Sequence, residues 1–407
     1  MAPVPQLTCL IASIRYTEGM TTTLTLPAAM ETLAPEDRRV GVYLHIPFCV
    51  KKCYYCDFAC YAGQDKHIDD YVDALTREIA AYAGLEAETI YFGGGTPSVL
   101  SPRQLDAIMA ALHRHLRVLP GAETTMEVNP GTGSPELWKT AHDWGIHRMS
   151  LGVQTFDAEL LKRIGRDHAP EDVPRTLEAI REAGIQNLSL DLMYALPGQT
   201  MAAWEDSISR ALELEPKHFS IYSLILEEQT VFGAWHRKGK LALVDEDLEI
   251  AMAETLEARM TEAGFTQYEI SSWTRPGFES RHNTRYWINA PFIGLGTGAH
   301  SYWLNRRFAH GRGIMDYIRN PLPELPSEPM NEQEIREETV FLGLRMTREG
   351  LVKARYAERF GETIEDRYGK TVRQLVSDGL LEDRGDRLLL TPRGIMLSND
   401  VFAAFLD

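Results

Sequence analysis

The chain has 407 residues, enough for one large core and a smaller second one, because single cores rarely grow past roughly 250 to 300 residues. Its 58 acidic against 42 basic side chains give a net charge of -16, which disfavours long-range attraction to nucleic acid or anionic lipid, so no stable nucleic-acid binding is expected. No window reaches the roughly 18 to 20 consecutive apolar residues of a membrane span, the start lacks a charged leader with a long apolar stretch, and five cysteines suit a reducing compartment better than a disulfide framework; the expectation is a cytoplasmic protein that is not integral to a membrane.

Residues 1–38 are rich in Thr, Ala and Pro, lack sustained periodicity and contain Met20 and Met30 as alternative starts; they predict a flexible extension. From residue 41, "GVYLHI", "TIYFGGG", "TTMEVNP", "RMSLGVQ", "NLSLDLMYALPG" and "HFSIYSL" read as strands, separated by helical patterns such as "IDDYVDALTREIAAYAG" and "PRQLDAIMAALHRHL". Repeated strand, loop and helix require parallel pairing. About six such units predict an α/β fold, a full or partial (β/α) barrel over residues 39–320, with its chemistry at the carboxyl ends of the strands.

Beyond residue 300 the rhythm stops, and "NPLPELPSEPMNEQE" reads as a Pro- and Glu-rich linker. Residues 321–407 then predict a second, mostly helical domain: "EQEIREETVFLGLRM", "ARYAERFG" and "TVRQLVSDG" are helical, "LLEDRGDRLLLTPRG" is a short hairpin, and a last helix follows. Helices followed by a hairpin wing are similar to a winged-helix module. With Glu and Asp spread through it, packing or docking is the better expectation than nucleic-acid binding.

Between the first strand and the first long helix lies "HIPFCVKKCYYCDFACYAG". Cys49, Cys53 and Cys56 form C-x3-C-x2-C, and three thiolates on one loop can hold three irons of a [4Fe-4S] cluster, leaving the fourth iron open for a substrate. The alternative is a structural zinc, which would recruit Cys60 or His45 as a fourth ligand. Phe48, Tyr54, Tyr55 and Phe58 surround the thiols with apolar area that would keep a cluster dry.

Polar residues then recur at the strand ends. Gly93, Gly94 and Gly95 end the second strand and would let backbone approach a ligand closely. Glu127 ends the third strand and Gln154 the fourth, Arg166 follows in "RIGRDH", and Asp191 is an acid inside the apolar fifth strand. Their recurrence at one level predicts a common pocket, in which carboxylates and amides take hydroxyls or base edges and a guanidinium takes a carboxylate.

"CVKKCYYC" after a first barrel strand resembles the radical S-adenosylmethionine (SAM) motif, whose open iron is chelated by the amino and carboxylate groups of SAM. The stretch from Tyr43 to about Ser301 is similar, more narrowly, to the oxygen-independent coproporphyrinogen III oxidase group, through "YLHIPFC", "YFGGGTPS", "MEVNP", "RMSLGVQ", "IGRDH", "DLMYALPGQT" and "GLGTGAHS". That resemblance implies a partial (β/α)6-type radical SAM barrel, cluster ligands Cys49, Cys53 and Cys56, and SAM contacts at Tyr43, Tyr55, Gly94, Gly95, Thr96, Glu127, Gln154, Arg166 and Asp191.

The group divides into a decarboxylating oxidase and a haem-chaperone branch. The oxidase has a further cysteine two places after the third cluster cysteine; here that place is Phe58, as in the chaperone branch, and Cys60 is out of register and reads as a bystander. "HNTRYW", with His282, Asn283, Tyr286 and Trp287, looks like the branch's H-N-x-x-Y-W haem-binding motif, and imidazole is a usual axial ligand of haem iron. The oxidase's long N-terminal region has no evident counterpart in "MAPVPQLTCLIASIRYTEGM". The resemblance therefore implies a protein that binds a [4Fe-4S] cluster, SAM and haem, with haem as cargo for haem-accepting respiratory proteins. Oxidative decarboxylation of coproporphyrinogen III is the alternative, and a zinc-stabilised nucleic-acid-binding protein a more distant one.

Overall fold

A computed structural model describes residues 23–24, 26–31, 33–326 and 328–406. Six strands, β1 Arg39–Ile46, β2 Glu86–Gly94, β3 Arg117–Val128, β4 Arg148–Gln154, β5 Asn187–Tyr194 and β6 His218–Ser223, lie side by side in sequence order and are all parallel. Helices α1 Ile68–Ala81, α2 Pro102–His115, α3 Pro135–Asp143, α4 Asp172–Glu182 and α5 Met201–Glu213 cross between them, and α6 Glu246–Glu262 follows β6. The expected partial (β/α)6 barrel is the observed fold. Helix starts follow local capping: Ser101 accepts from Gln104 N while Gln104 returns to Ser101 N, and Thr200 caps α5.

One further parallel strand went unread in the sequence. β7, Phe292–Leu295, pairs parallel with β1, and the hairpin His300–Trp303 and Arg306–Ala309 continues the sheet antiparallel beyond it. At the other edge Ser272–Thr274 and Thr266–Glu269 add antiparallel to β6, giving an open sheet of eleven strands. β7 is only four residues long and follows a short helix, α7 Arg281–Trp287, so it offers little periodicity to read.

Alternation along the strands separates two environments. Val40, Val42, Leu44 and Ile46 of β1 join Leu75 and Ile79 of α1 in the main apolar core. The intervening inner positions are polar: Tyr43 and His45 on β1, Thr89 and Tyr91 on β2, Glu127 on β3, Ser150 on β4 and Asp191 on β5. Purely structural barrels fill this space with branched apolar residues. A polar column has to be hydrogen-bonded or has to receive a ligand.

Two sequence expectations need correction. Within the described residues, the predicted extension is not free: helix Leu26–Glu31 sends Leu26 and Ala29 into the main core, Leu33 follows, and Thr23–Leu24 pairs with Leu325–Pro326. The same pairing pins the predicted linker, where Leu325 is fully buried. Apolar residues spaced too sparsely for a periodic signal still find the core once the sheet exists. Most of residues 1–38, with Cys9 and Met20, lies outside the described residues.

The C-terminal part has the expected helices and wing. Helices α8 Glu332–Leu344, Lys353–Phe360 and Ile364–Ser377 pack with an antiparallel sheet in which Arg387–Leu390 lies between Leu351–Val352 and Leu381–Asp383, and two short helices end the chain. Their apolar core takes in Tyr268 and Trp287 from the barrel. Arg307 on the hairpin holds Glu338 of α8 through two bonds of 2.6 Å, and Arg345 lies 4.4 Å over the Trp287 ring and 3.5 Å from Glu269. Among the described residues, no helix is long and apolar enough to cross a membrane.

Candidate functional site

The cysteine loop leaves the end of β1 and is tied down on several sides. Tyr61 N donates to Pro47 O at 2.8 Å, Tyr54 N to Ile164 O at 3.0 Å, and Phe232 N to Tyr54 O at 2.9 Å. His45, buried beneath it, bridges Tyr43 Oη at 3.1 Å and Ala59 O at 3.0 Å. Burial lowers the His45 pKa to about 4, so the loop rests on a neutral imidazole.

All four thiols reach one cavity at the carboxyl ends of the strands. Thr96 Oγ1 donates to Cys49 Sγ at 3.4 Å, Arg166 Nη1 points at Cys53 Sγ at 3.8 Å, and Cys56 Sγ lies 3.4 Å from Cys60 Sγ. The Cys60 thiol also bonds Cys49, which lowers the Cys49 pKa and raises that of Cys60. Burial raises the Cys53 thiol, while Arg166 beside it works the other way.

The strands supply the remaining walls. Glu127 accepts from Tyr91 Oη at 3.0 Å and from Gly94 N at 3.1 Å, and burial holds its carboxyl above the usual range. Ser150 donates to Asp191 Oδ1 at 3.0 Å, and Tyr222 reaches Gln154 Oε1 at 3.4 Å. Arg166 arrives from the loop after the short helix Ala158–Arg163 and is fixed by Asn129 Oδ1 and Gly152 O. Gln154 sits at φ 66, a left-handed conformation that ends β4 and turns its amide into the cavity.

The site brings together Cys49, Cys53, Cys56, Tyr55, Gly94, Gly95, Thr96, Glu127, Gln154, Arg166 and Asp191, all of them singled out in the sequence. Tyr43 is not in the wall; it packs against Tyr91 and His45 one layer below. Asn129, Ser150, Gly152 and Tyr222 were missed. Asn129 stands two places after Glu127 and Tyr222 near the end of the sixth strand, so strand-end position was the available signal.

The residues fit a cluster with an open iron. A Cβ on Gly94, at φ +108, would stand 2.5 Å from the His45 ring, and one on Gly95 would stand 2.8 Å from Ile46 O and Phe48 O. Only glycines let this turn sit against the cysteine loop. Among the described residues, no group of three or more His, Cys, Asp or Glu side chains is already drawn together around a single point as a closed metal site would be.

The haem-motif residues lie elsewhere, at the amino-terminal end of the barrel. Helix α7 starts at Ser280, which caps Asn283 N, and Glu123 accepts from Arg281 N and His282 N. His282 is 1 % exposed, with Nδ1 2.8 Å from Thr89 Oγ1 and Nε2 2.7 Å from Tyr286 Oη, and it stacks on Tyr91 at 5.0 Å. Burial lowers its pKa to about 3. Asn283 and Trp287 are also buried, and the Trp287 indole N–H has no hydrogen-bond partner among the described residues. Both ring nitrogens of His282 are therefore hydrogen-bonded in this conformation. The four motif residues share one helix, but the inward face of that helix is the barrel floor.

Known proteins share the sequence and the fold. The Radical SAM superfamily profile matches residues 43–211 and the HemN C-terminal domain profile residues 330–397. The chain is 40% identical to the haem chaperone HemW of Bacillus subtilis over 90% of its own length and 99% of that protein. It is 33% identical to the haem chaperone HemW of Escherichia coli, over 90% and 98%. The solved structure of the E. coli coproporphyrinogen III oxidase HemN superposes with a TM-score of 0.81 over 98% of both chains at 22% identity, a likeness of fold.

Proposed function

From the premise that this chain belongs to the haem chaperone HemW family of radical SAM proteins, we propose that it binds haem and hands it to an acceptor, a haem-requiring respiratory protein. The observation that supports this most is full-length similarity to haem chaperones in a chain that carries Phe58, not cysteine, two places after Cys56.

Cys49, Cys53 and Cys56 would hold the cluster, and SAM would occupy the cavity above Glu127 and Asp191. When bound, the pair supplies one-electron chemistry at the SAM sulfonium. The chain's own residues bind and orient: Gly94, Gly95 and Thr96 present a tight backbone turn, Glu127, Gln154 and Asp191 accept from or donate to polar groups of the ligand, and Arg166 offers positive charge beside Cys53. Tyr55 and Phe58 give the thiols apolar cover.

Haem contact belongs to helix α7, approached from its outer face. Arg281, Thr284, Arg285 and Ile288 line a cavity of about 600 Å³ between the barrel and the C-terminal domain, opposite Met346, Arg348 and Arg387. Glu88, Glu279 and Glu349 line it too, and Arg285 and Arg348 are paired with Glu88 and Glu279, so haem propionates would compete with these carboxylates for the guanidinium groups; the volume lies within the ordinary range for cofactor sites. Ligation by His282 then requires its ring to leave the barrel floor, breaking its bonds to Thr89 Oγ1 on β2 and to Tyr286 Oη on α7 itself, while Asn283, Tyr286 and Trp287 would supply contact rather than ligation.

The test is anaerobic reconstitution with iron, sulfide and SAM, followed by haem titration and transfer to an apo-cytochrome. Saturable haem binding and transfer, with His282→Ala and Ile288→Trp each weakening binding at least tenfold, are expected. Conversion of coproporphyrinogen III to protoporphyrinogen in the same preparation would overturn the chaperone reading in favour of the oxidase.

A further inference from the structure

Four thiols share the site where a cluster with one open iron needs three. Cys60 is 2 % exposed and lines the same cavity, so it is neither remote nor a surface residue. A tight turn, with Cys60 N donating to Phe58 O at 2.7 Å, folds it back until its Sγ is 3.4 Å from Cys56 Sγ. Two cysteines on different irons of one cubane diverge from each other. At this separation Cys56 and Cys60 cannot both be such ligands, but a shift of roughly 1.4 Å brings them to the disulfide bond length of about 2.05 Å.

We propose that, in the cluster-free protein, Cys56 and Cys60 form a disulfide that withholds one cluster ligand until it is reduced, a redox gate on cluster loading. This rests on Cys56 being a cluster ligand. Cys56 is half-buried while Cys60 is buried, so a low-molecular-weight disulfide from solution meets Cys56 first. Its thiolate attacks that disulfide, forms a mixed disulfide and releases one thiolate. Cys60 then gives up its proton and attacks Cys56 Sγ, expelling the second thiolate. Two electrons pass from the cysteine pair to the small disulfide, which leaves as two thiols, and a dithiol reductant reverses the sequence. Cys60 also bonds Cys49, but Cys49 is buried and takes a hydrogen bond from Thr96, and Arg166 lies against Cys53, so Cys56 is the more accessible partner of Cys60 for a disulfide arriving from solution.

The full chain, stripped of iron and reduced, would be equilibrated with glutathione buffers of rising oxidised fraction, alkylated and digested with chymotrypsin. Cleavage after Phe58 separates the two cysteines, so the disulfide appears as two linked peptides. Wild type should yield that link and lose iron uptake, which dithiothreitol restores. Cys60→Ser should yield only a glutathione adduct on Cys56 and need at least tenfold more oxidised glutathione for half-oxidation. Persistent glutathione adducts in wild type, or a link from Cys60 to Cys49, would overturn the proposal. Iron uptake by the reduced wild type tests the cluster reading separately, because the peptide map does not depend on it.

Discussion

Replacing Glu127 by Gln separates ligand binding from fold. Among the described residues the carboxylate accepts from Tyr91 Oη at 3.0 Å and from Gly94 N at 3.1 Å. An amide has one acceptor. Its cheaper orientation turns the oxygen to Gly94 and the NH2 to Tyr91, whose hydroxyl then accepts and loses its own acceptor. One buried O–H left unpaired costs about 1–3 kcal/mol. Burial already works against the Glu127 charge, so losing that charge returns part of the cost. The net destabilisation should stay below about 2 kcal/mol, a fall in Tm of a few degrees. SAM, by contrast, loses a charge-assisted hydrogen bond of about 1.5–3 kcal/mol, so its affinity should drop roughly 10- to 150-fold. Equilibrium dialysis of SAM with reconstituted protein, alongside thermal unfolding and iron analysis, reads all three quantities. Unchanged SAM affinity with full iron content would refute the placing of SAM against this carboxylate.

Gly94→Ala should strain the turn by about 1–3 kcal/mol and push its Cβ into the His45 ring 2.5 Å away, displacing the imidazole that supports Ala59. Reconstituted iron content should fall together with Tm; a variant that loads iron like wild type would show that the two loops are not mechanically linked. Acid should destabilise the protein through His45, His168 and His282, which burial lowers to about 4, about 3 and about 3 from 6.5. The unfolded chain takes up these protons first, so stability is intact above pH 6.5 and declines as pH falls from there towards 4, by about 1.4 kcal/mol per pH unit for each histidine. Urea midpoints between pH 7.5 and 5 check this, and a flat profile would mean that these imidazoles are not held neutral.

Much of the site was legible because its signals are local. C-x3-C-x2-C is a spacing, the glycines follow a β-rich run, and Glu127, Gln154 and Asp191 are polar residues at or near strand ends, so parallel pairing alone carries them to one level. Ser101 and Thr200 mark helix starts by the same local chemistry.

By itself, then, the sequence determined the α/β rhythm, the three thiols of the C-x3-C-x2-C spacing and most of the cavity wall, each through the chemistry of neighbouring residues. Only the tertiary structure decided what depends on distant chain segments. It put β7 beside β1, drew Leu26 and Leu325 into the core, and lowered Tyr43 out of the cavity wall. It also gave two residues roles that spacing could not. Cys60, out of register with the oxidase's extra thiol, folds back onto Cys56, and His282, the imidazole of the H-N-x-x-Y-W-like stretch, is held inside the barrel floor by Thr89 and Tyr286. The reason is physical: a motif names the groups available, whereas burial and hydrogen bonding across the fold decide which of them remain free to react.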